Sequence, residues 1–75
     1  MKQVVLKINN FGWGEAKAQL GNKELSLTFD AENDFNLHCW EQDKLKGYDL
    51  KTNVKELSTI NEIANEYDIE FVVEC

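Results

Sequence analysis

The sequence has no arginine, a single histidine and only two cysteines among its 75 residues. Two cysteines are too few for the disulfide framework of a small secreted domain. We therefore expect Cys39 and Cys75 to be free thiols in a reducing cytoplasm, with a Cys39–Cys75 bridge as the alternative. No apolar run approaches the roughly 20 residues of a membrane span. The first residues also mix apolar with polar types, unlike a secretory signal, so we expect no membrane association.

With one histidine, the chain has few residues for a metal or catalytic site. His38 and Cys39 are neighbours on an expected strand, where adjacent side chains point to opposite faces and cannot share a metal or a substrate. A zinc site needs three or four such ligands. The acidic segment 30–34 lacks the glycine and the closing glutamate of a calcium loop. We therefore expect neither enzymatic activity nor a cofactor or metal ion.

The absence of arginine also argues against direct nucleic-acid binding. Affinity for phosphates comes mostly from basic groups, and here eight lysines stand against 14 acids, for a net charge of −6. Exposed tryptophans such as Trp13 and Trp40 could stack on bases, but the charge balance makes a protein partner the better expectation.

The hydrophobic fraction of 43% is sufficient for a globular domain. Folding at this length buries only about 60% of the surface of the unfolded chain. The core is therefore expected to be thin, which leaves little room for a deep cleft. The sequence predicts a single domain spanning residues 1–75.

Apolar and polar residues alternate through the first 40 residues, the pattern of half-buried β-strands. The apolar positions form four groups: Val4, Leu6 and Ile8; Ala16, Ala18 and Leu20; Leu25, Leu27 and Phe29; Phe35, Leu37 and Cys39. Gly21 and Asn22 form a two-residue hairpin signal, which pairs Leu20 with Lys23. Residues 10–12 fit a three-residue loop, which places Lys7 opposite Glu15. The first part of the chain is therefore predicted to be an antiparallel meander of four strands.

Near residue 53 the spacing of the apolar residues changes from the alternation of a strand to that of a helix. Asn53 and Glu56 have the spacing of a capping box, and an apolar stripe follows at helical spacing: Val54, Leu57, Ile60, Ile63, Ala64, Tyr67. Ile69, Phe71 and Val73 then alternate as a final strand. We read residues 41–52 as a connection, predict a helix over about 54–67, and expect an α+β fold of order β-β-β-β-α-β. The helix covers one sheet face, and the other face meets solvent or a partner.

The net negative charge of the protein comes entirely from the end of the chain. Residues 1–55 contain eight lysines and eight acids, and all later charged residues are acidic: Glu56, Glu62, Glu66, Asp68, Glu70, Glu74. Glu62 and Glu66 are four residues apart and lie toward the helix C-terminus, where both their repulsion and the macrodipole are unfavourable. The pattern predicts an acidic surface that binds a basic partner; a solvated face that only maintains solubility is the alternative.

A second candidate surface lies on the face away from the helix. Val5, Trp13, Trp40 and Val72 are all expected to point there, and aromatic side chains are enriched at interface cores. They predict a face for a partner or for a homodimer. Alternatively, the 41–52 connection folds back over them with Leu45, Tyr48 and Leu50.

In its size, acidity and lack of catalytic residues, the chain resembles the small acidic inhibitors encoded by phages and mobile elements, including anti-CRISPR proteins and DNA mimics. The resemblance implies that it occupies a nucleic-acid-binding surface of its target in the cytoplasm of a host cell. We therefore expect a protein-binding inhibitor or adaptor. The alternative is a structural module that forms a homodimer through the tryptophan-bearing face.

Overall fold

A computed structural model describes residues 1–74. The elements follow in the order β1 (Lys2–Ile8), β2 (Gly14–Leu20), β3 (Lys23–Asp30), β4 (Asp34–Glu41), β5 (Lys46–Val54), α1 (Leu57–Ala64), a 3-10 helix (Asn65–Tyr67) and β6 (Ile69–Glu74). The six strands form one mixed sheet of order β5-β4-β3-β2-β1-β6, with α1 on one face. The predicted α+β class is confirmed, with six strands rather than five.

Both predicted hairpin registers are confirmed. Across the second hairpin, Leu20 lies opposite Lys23 and Gly14 opposite Phe29. Gly21 has a φ of +62°, a conformation that glycine adopts without a steric penalty. In the first hairpin, Lys7 lies opposite Glu15. Because side chains alternate in direction, these registers place the four predicted apolar groups of β1 to β4 on one inner face.

The assignment of residues 41–52 as a connection is wrong, because β5 occupies most of this segment and pairs with β4. Two register shifts interrupt the pairing on either side of Leu37. Tyr48, Leu50 and Val54 all pack against the core, although their spacing is uneven. Such bulges insert extra residues into a strand, and this explains why the segment lacks a regular alternation.

The predicted capping box and helix start are also wrong. α1 begins at Leu57, and Glu56 at its N-cap makes no side-chain capping bond. Asn53 instead has a φ of +55° and closes the end of β5: its side-chain Nδ2 donates to the Asn33 carbonyl, and its N–H donates to Asn36 Oδ1. The strand continues to Val54 because that residue pairs with Phe35. The apolar stripe still packs on the core.

The final strand, β6, lies beside β1 and runs parallel to it, with Val4 opposite Phe71. A parallel neighbour requires a crossover connection. α1 provides it, since the chain leaves the β5 edge, crosses the inner face and returns at the far edge. β5 and β6 are therefore the two edges of the sheet.

The core lies between the inner face of the sheet and α1. Its buried members are Leu6, Ala16, Ala18, Leu25, Leu27, Phe35, Leu37, Cys39, Ile60, Ala64, Ile69 and Phe71. Cys39 is buried and forms no disulfide within residues 1–74, whereas Cys75, and with it the question of a Cys39–Cys75 bridge, lies outside the described residues. Within residues 1–74 no helix is long and apolar enough to cross a membrane.

Candidate functional site

The surface of the protein carries its candidate sites. Residues 1–74 enclose no pocket, and this described part holds no cluster of three side chains that could bind a metal ion. His38 and Cys39 lie on opposite faces, with Cys39 in the core and His38 on the outer face. The arrangement therefore offers charged and apolar surfaces rather than a cleft.

Four of the six predicted acidic residues are distributed along α1 and the residues directly before and after it. Glu56 precedes α1, Glu62 lies on α1, Glu66 on the 3-10 helix, and Asp68 in the turn before β6. All four are exposed, and among residues 1–74 none of them forms an ion pair. We call Glu56, Glu62, Glu66 and Asp68 the acidic ridge.

The acidic ridge is positioned by the buried side of α1. Ile60 and Ala64 are fully buried, and Glu62 lies two residues from each, on the opposite side of the helix. Asn61 attaches α1 to the sheet, because its side chain bonds to the main chain of Phe71 in β6. This packing and the contact with β6 therefore hold α1, and with it the ridge, in place on the sheet.

The other two predicted acids lie on the outer face of the sheet. Glu70 Oε1 accepts a hydrogen bond from Gln3 Nε2 at 3.3 Å, and Glu74 Oε1 lies 3.8 Å from Lys7 Nζ. The fold thus separates Glu70 and Glu74 from the acidic ridge and gives both a polar partner. Glu56, in contrast, follows β5 closely and so lies toward the opposite edge of the sheet from β6.

Lysines concentrate at the opposite edge of the sheet. Residues 44–55, which include β5, contain four lysines and one acid. That acid, Asp49, places its Oδ1 3.0 Å from His38 Nδ1. Charged side chains on an edge strand discourage unwanted strand pairing. The fold therefore has an acidic edge at β6 and a basic edge at β5.

The structure does not bring the two tryptophans together. Trp40 lies opposite Glu24, and Glu24 lies opposite Gln19 of β2. Trp13 stands at the other end of β2, six residues from Gln19, which corresponds to about 20 Å along an extended strand. Trp13 and Trp40 are 49% and 39% exposed, but they belong to separate parts of the outer face.

The two valines of this predicted face do meet. Val5 lies directly opposite Val72 where β1 pairs with β6. Between this pair and Trp40 the outer face carries the polar side chains of β2 and β3: Glu15, Lys17, Gln19, Glu24, Ser26 and Thr28. The proposed cover does not form, because Tyr48 and Leu50 pack into the core and Leu45 is exposed.

Trp40 has a packing role that the sequence did not indicate. A Cβ added to Gly47 would lie 3.1 Å from Trp40 Cε3 and 2.6 Å from His38 Nε2. Both rings therefore lie directly over the bare Gly47 backbone of the edge strand. This contact gives Trp40 a packing role within the fold, so no partner protein is needed to explain an aromatic residue at position 40.

Phe11 is an exposed aromatic residue that the sequence did not single out as a site. It lies in the loop between β1 and β2, and 93% of its surface is exposed. The loop itself was predicted, and an aromatic residue in the middle of a three-residue turn has no strand neighbour to pack against. The position of Phe11 in this loop was therefore the feature of the sequence from which its exposure could have been predicted.

Comparisons with protein-family models, with curated proteins and with solved structures found no match.

Proposed function

We propose that the protein is a binding module whose acidic ridge attaches to a basic surface of a partner protein, and that it acts there as an inhibitor or adaptor. This proposal rests on the exposure of the ridge carboxylates and on their lack of ion-pair partners among residues 1–74. These carboxylates also follow one another along α1 and the residues directly before and after it.

The placement of these acids is unfavourable for the helix alone. Glu62 and Glu66 repel one another at a spacing of four residues, and α1 has no basic residue in its last turn to offset the macrodipole. Together these effects cost about 1 kcal/mol. Acids needed only for solubility could lie beside lysines elsewhere on the sheet, so the arrangement favours a role in recognition.

The chemistry of the ridge indicates the kind of partner. Clustered carboxylates steer an approaching basic protein, and this attraction weakens as salt shortens the screening length. Basic surfaces of this kind are typical of proteins that bind nucleic acids. The resemblance to small acidic phage inhibitors supports the same target class, with the ridge competing against nucleic acid.

The alternative function, a homodimer through Val5, Trp13, Trp40 and Val72, has weaker support. Its residues lie in three separate places on a largely polar face. Sedimentation of the purified chain at high concentration tests it directly. A stable dimer that dissociates on Trp13→Ser with Trp40→Ser would favour it over the acidic-ridge proposal.

The ridge is tested by charge reversal with a matched control. A partner is isolated with the tagged chain from an extract of its native cells and purified, and its affinity is measured at physiological salt. Glu62→Lys with Glu66→Lys should weaken binding at least tenfold, which is about 1.4 kcal/mol. Glu24→Lys with Asp43→Lys makes the same change in net charge away from the ridge, and should stay near the wild-type affinity.

Two outcomes would contradict the proposal. Equal weakening by both double variants would mean that only the net charge of the protein matters. Unchanged affinity after reversal of Glu62 and Glu66 would exclude the ridge as the contact surface.

A further inference from the structure

The loop between β1 and β2 presents two aromatic side chains to solvent. Phe11 is almost completely exposed, and Trp13 is half-exposed. Neither ring belongs to the hydrophobic core or to the apolar residues packed against it. The fold therefore gives no structural reason for an aromatic residue at position 11.

The loop is held in one shape by Asn9. Its Oδ1 accepts hydrogen bonds from the N–H groups of Phe11 and Trp13 at 2.9 and 3.1 Å. Its main-chain N–H donates to the Trp13 carbonyl at 2.8 Å, and its own carbonyl accepts from Gly12 N–H at 3.0 Å. Gly12 has a φ of +77°. Because the loop is already ordered, little conformational freedom is lost when it binds.

Carboxylates flank this aromatic tip. Gly14 lies opposite Phe29, which places the β1–β2 loop and the β3–β4 turn at the same end of the sheet. This turn holds Asp30, Glu32 and Asp34. Backbone and side-chain hydrogen bonds from Asn33 lower the pKa of Asp30, so its carboxylate is ionised at neutral pH. Neither the aromatic loop nor this turn contains a lysine.

We propose that Phe11 and Trp13 form an anchor that inserts into an apolar pocket with a basic rim on a partner protein. Rigid aromatic residues that fill a pocket are typical binding hot spots, and the neighbouring carboxylates match lysines or arginines around the pocket. The anchor is independent of the acidic ridge. Asp68 of the ridge bonds to Lys2 at the start of β1, whereas Phe11 lies beyond the far end of that strand.

Two other occupants fit the surface less well. Anionic lipid surfaces would be repelled by the flanking carboxylates, and attraction to such lipids is a main contribution to interfacial binding. A second copy of the chain offers no pocket for the rings, because residues 1–74 enclose none.

The test places a photo-crosslinking phenylalanine analogue at position 11 of the full chain. After irradiation in an extract of its native cells, the adduct is identified and the crosslinked site mapped. The same analogue at Leu45, which is 76% exposed in another loop, serves as the control. We expect a protein adduct specific to position 11, mapped to an apolar pocket bordered by lysine or arginine.

The captured protein is then purified and titrated with variants. Phe11→Ser should weaken binding at least tenfold, whereas Phe11→Leu should retain part of the affinity and Leu45→Ser all of it. Glu32→Lys should weaken binding most at low salt. Phe11→Ser should unfold at the wild-type temperature, because the ring packs on nothing in the fold. Glu62→Lys with Glu66→Lys, measured in parallel, separates a failure of the anchor from a failure of the acidic ridge.

Several results would overturn the anchor. These are equal affinities for Phe11→Ser and Leu45→Ser, adducts only between two copies of the chain, or no adduct beyond those of the Leu45 control. Co-flotation of the wild-type chain, but not Phe11→Ser, with phosphatidylcholine–phosphatidylserine vesicles would assign the loop to a membrane instead.

Discussion

The side-chain amide of Asn61 satisfies both main-chain groups of Phe71. Its Nδ2 donates to the Phe71 carbonyl at 3.0 Å, and its Oδ1 accepts from the Phe71 N–H at 2.8 Å. β1 pairs with the other side of β6, so the amide occupies the place of a further strand. Unpaired strand edges promote aggregation. One helix residue thus attaches α1 and closes part of the edge.

Replacement of Asn61 by alanine should destabilise the protein by about 1–3 kcal/mol, because two partly buried main-chain groups lose their partner. The variant should also self-associate through the opened β6 edge. Urea unfolding measures the first effect and sedimentation the second. Asn65→Ala, the same change at an exposed position after α1, should stay within about 0.5 kcal/mol of wild type. Equal stabilities for the two variants would contradict the role assigned to Asn61.

Leu27 lies fully buried in the core that α1 covers. Leu27→Ala should lower the free energy of unfolding by about 2–5 kcal/mol, because it leaves a cavity between sheet and helix. Leu45→Ala removes the same atoms from an exposed side chain and should have little effect. A loss below about 0.5 kcal/mol for Leu27→Ala would mean that β3 does not face the helix in this register.

Gly14 and Gly47 should differ in their tolerance of alanine. A Cβ on Gly14 would lie 2.6 Å from the main-chain oxygen of Lys7, so β1 and β2 would have to separate. Gly14→Ala should therefore destabilise the protein by about 1–3 kcal/mol or more. At Gly47 the Cβ would meet the rings of His38 and Trp40, which are able to rotate, and the effect should be smaller. The reverse order in thermal unfolding would be inconsistent with the packing.

The Tyr48 phenol should ionise at a higher pH than an exposed tyrosine. Its hydrogen bond with the Cys39 thiol, together with burial, raises the pKa of the Tyr48 phenol to about 12. Below about pH 10 the phenol is neutral in both folded and unfolded chains. Between about pH 10 and 12 the unfolded phenol ionises first, so stability falls as the pH rises through this window.

Ultraviolet titration of Tyr67→Phe isolates the Tyr48 phenol and should show its ionisation near pH 12. The same step should be absent in Tyr48→Phe. Ionisation near pH 10, the value of an exposed tyrosine, would exclude the hydrogen bond with Cys39.

The turns and the alternating pattern determined the hairpin registers from the sequence. Gly21 admits a tight two-residue turn, and a slip by one residue would turn the apolar side chains outward. The same alternation predicted that His38 and Cys39 lie on opposite faces. These features depend on neighbours along the chain, so local physics was sufficient. The confinement of the net negative charge to residues 56–75 was likewise visible in the sequence.

Only the tertiary structure decided what depends on distant partners. β5 was missed because bulges against β4 interrupt its alternation. Asn53 belongs to that strand instead of capping α1, because the strand continues to Val54, which pairs with Phe35. The position of β6 beside β1 follows from packing of α1 across the sheet, which no local signal encodes. That placement separates Glu70 and Glu74 from the acidic ridge, and the sheet order keeps Trp13 apart from Trp40. The sequence determined which residues are acidic or aromatic, whereas long-range pairing decided which of them share a surface.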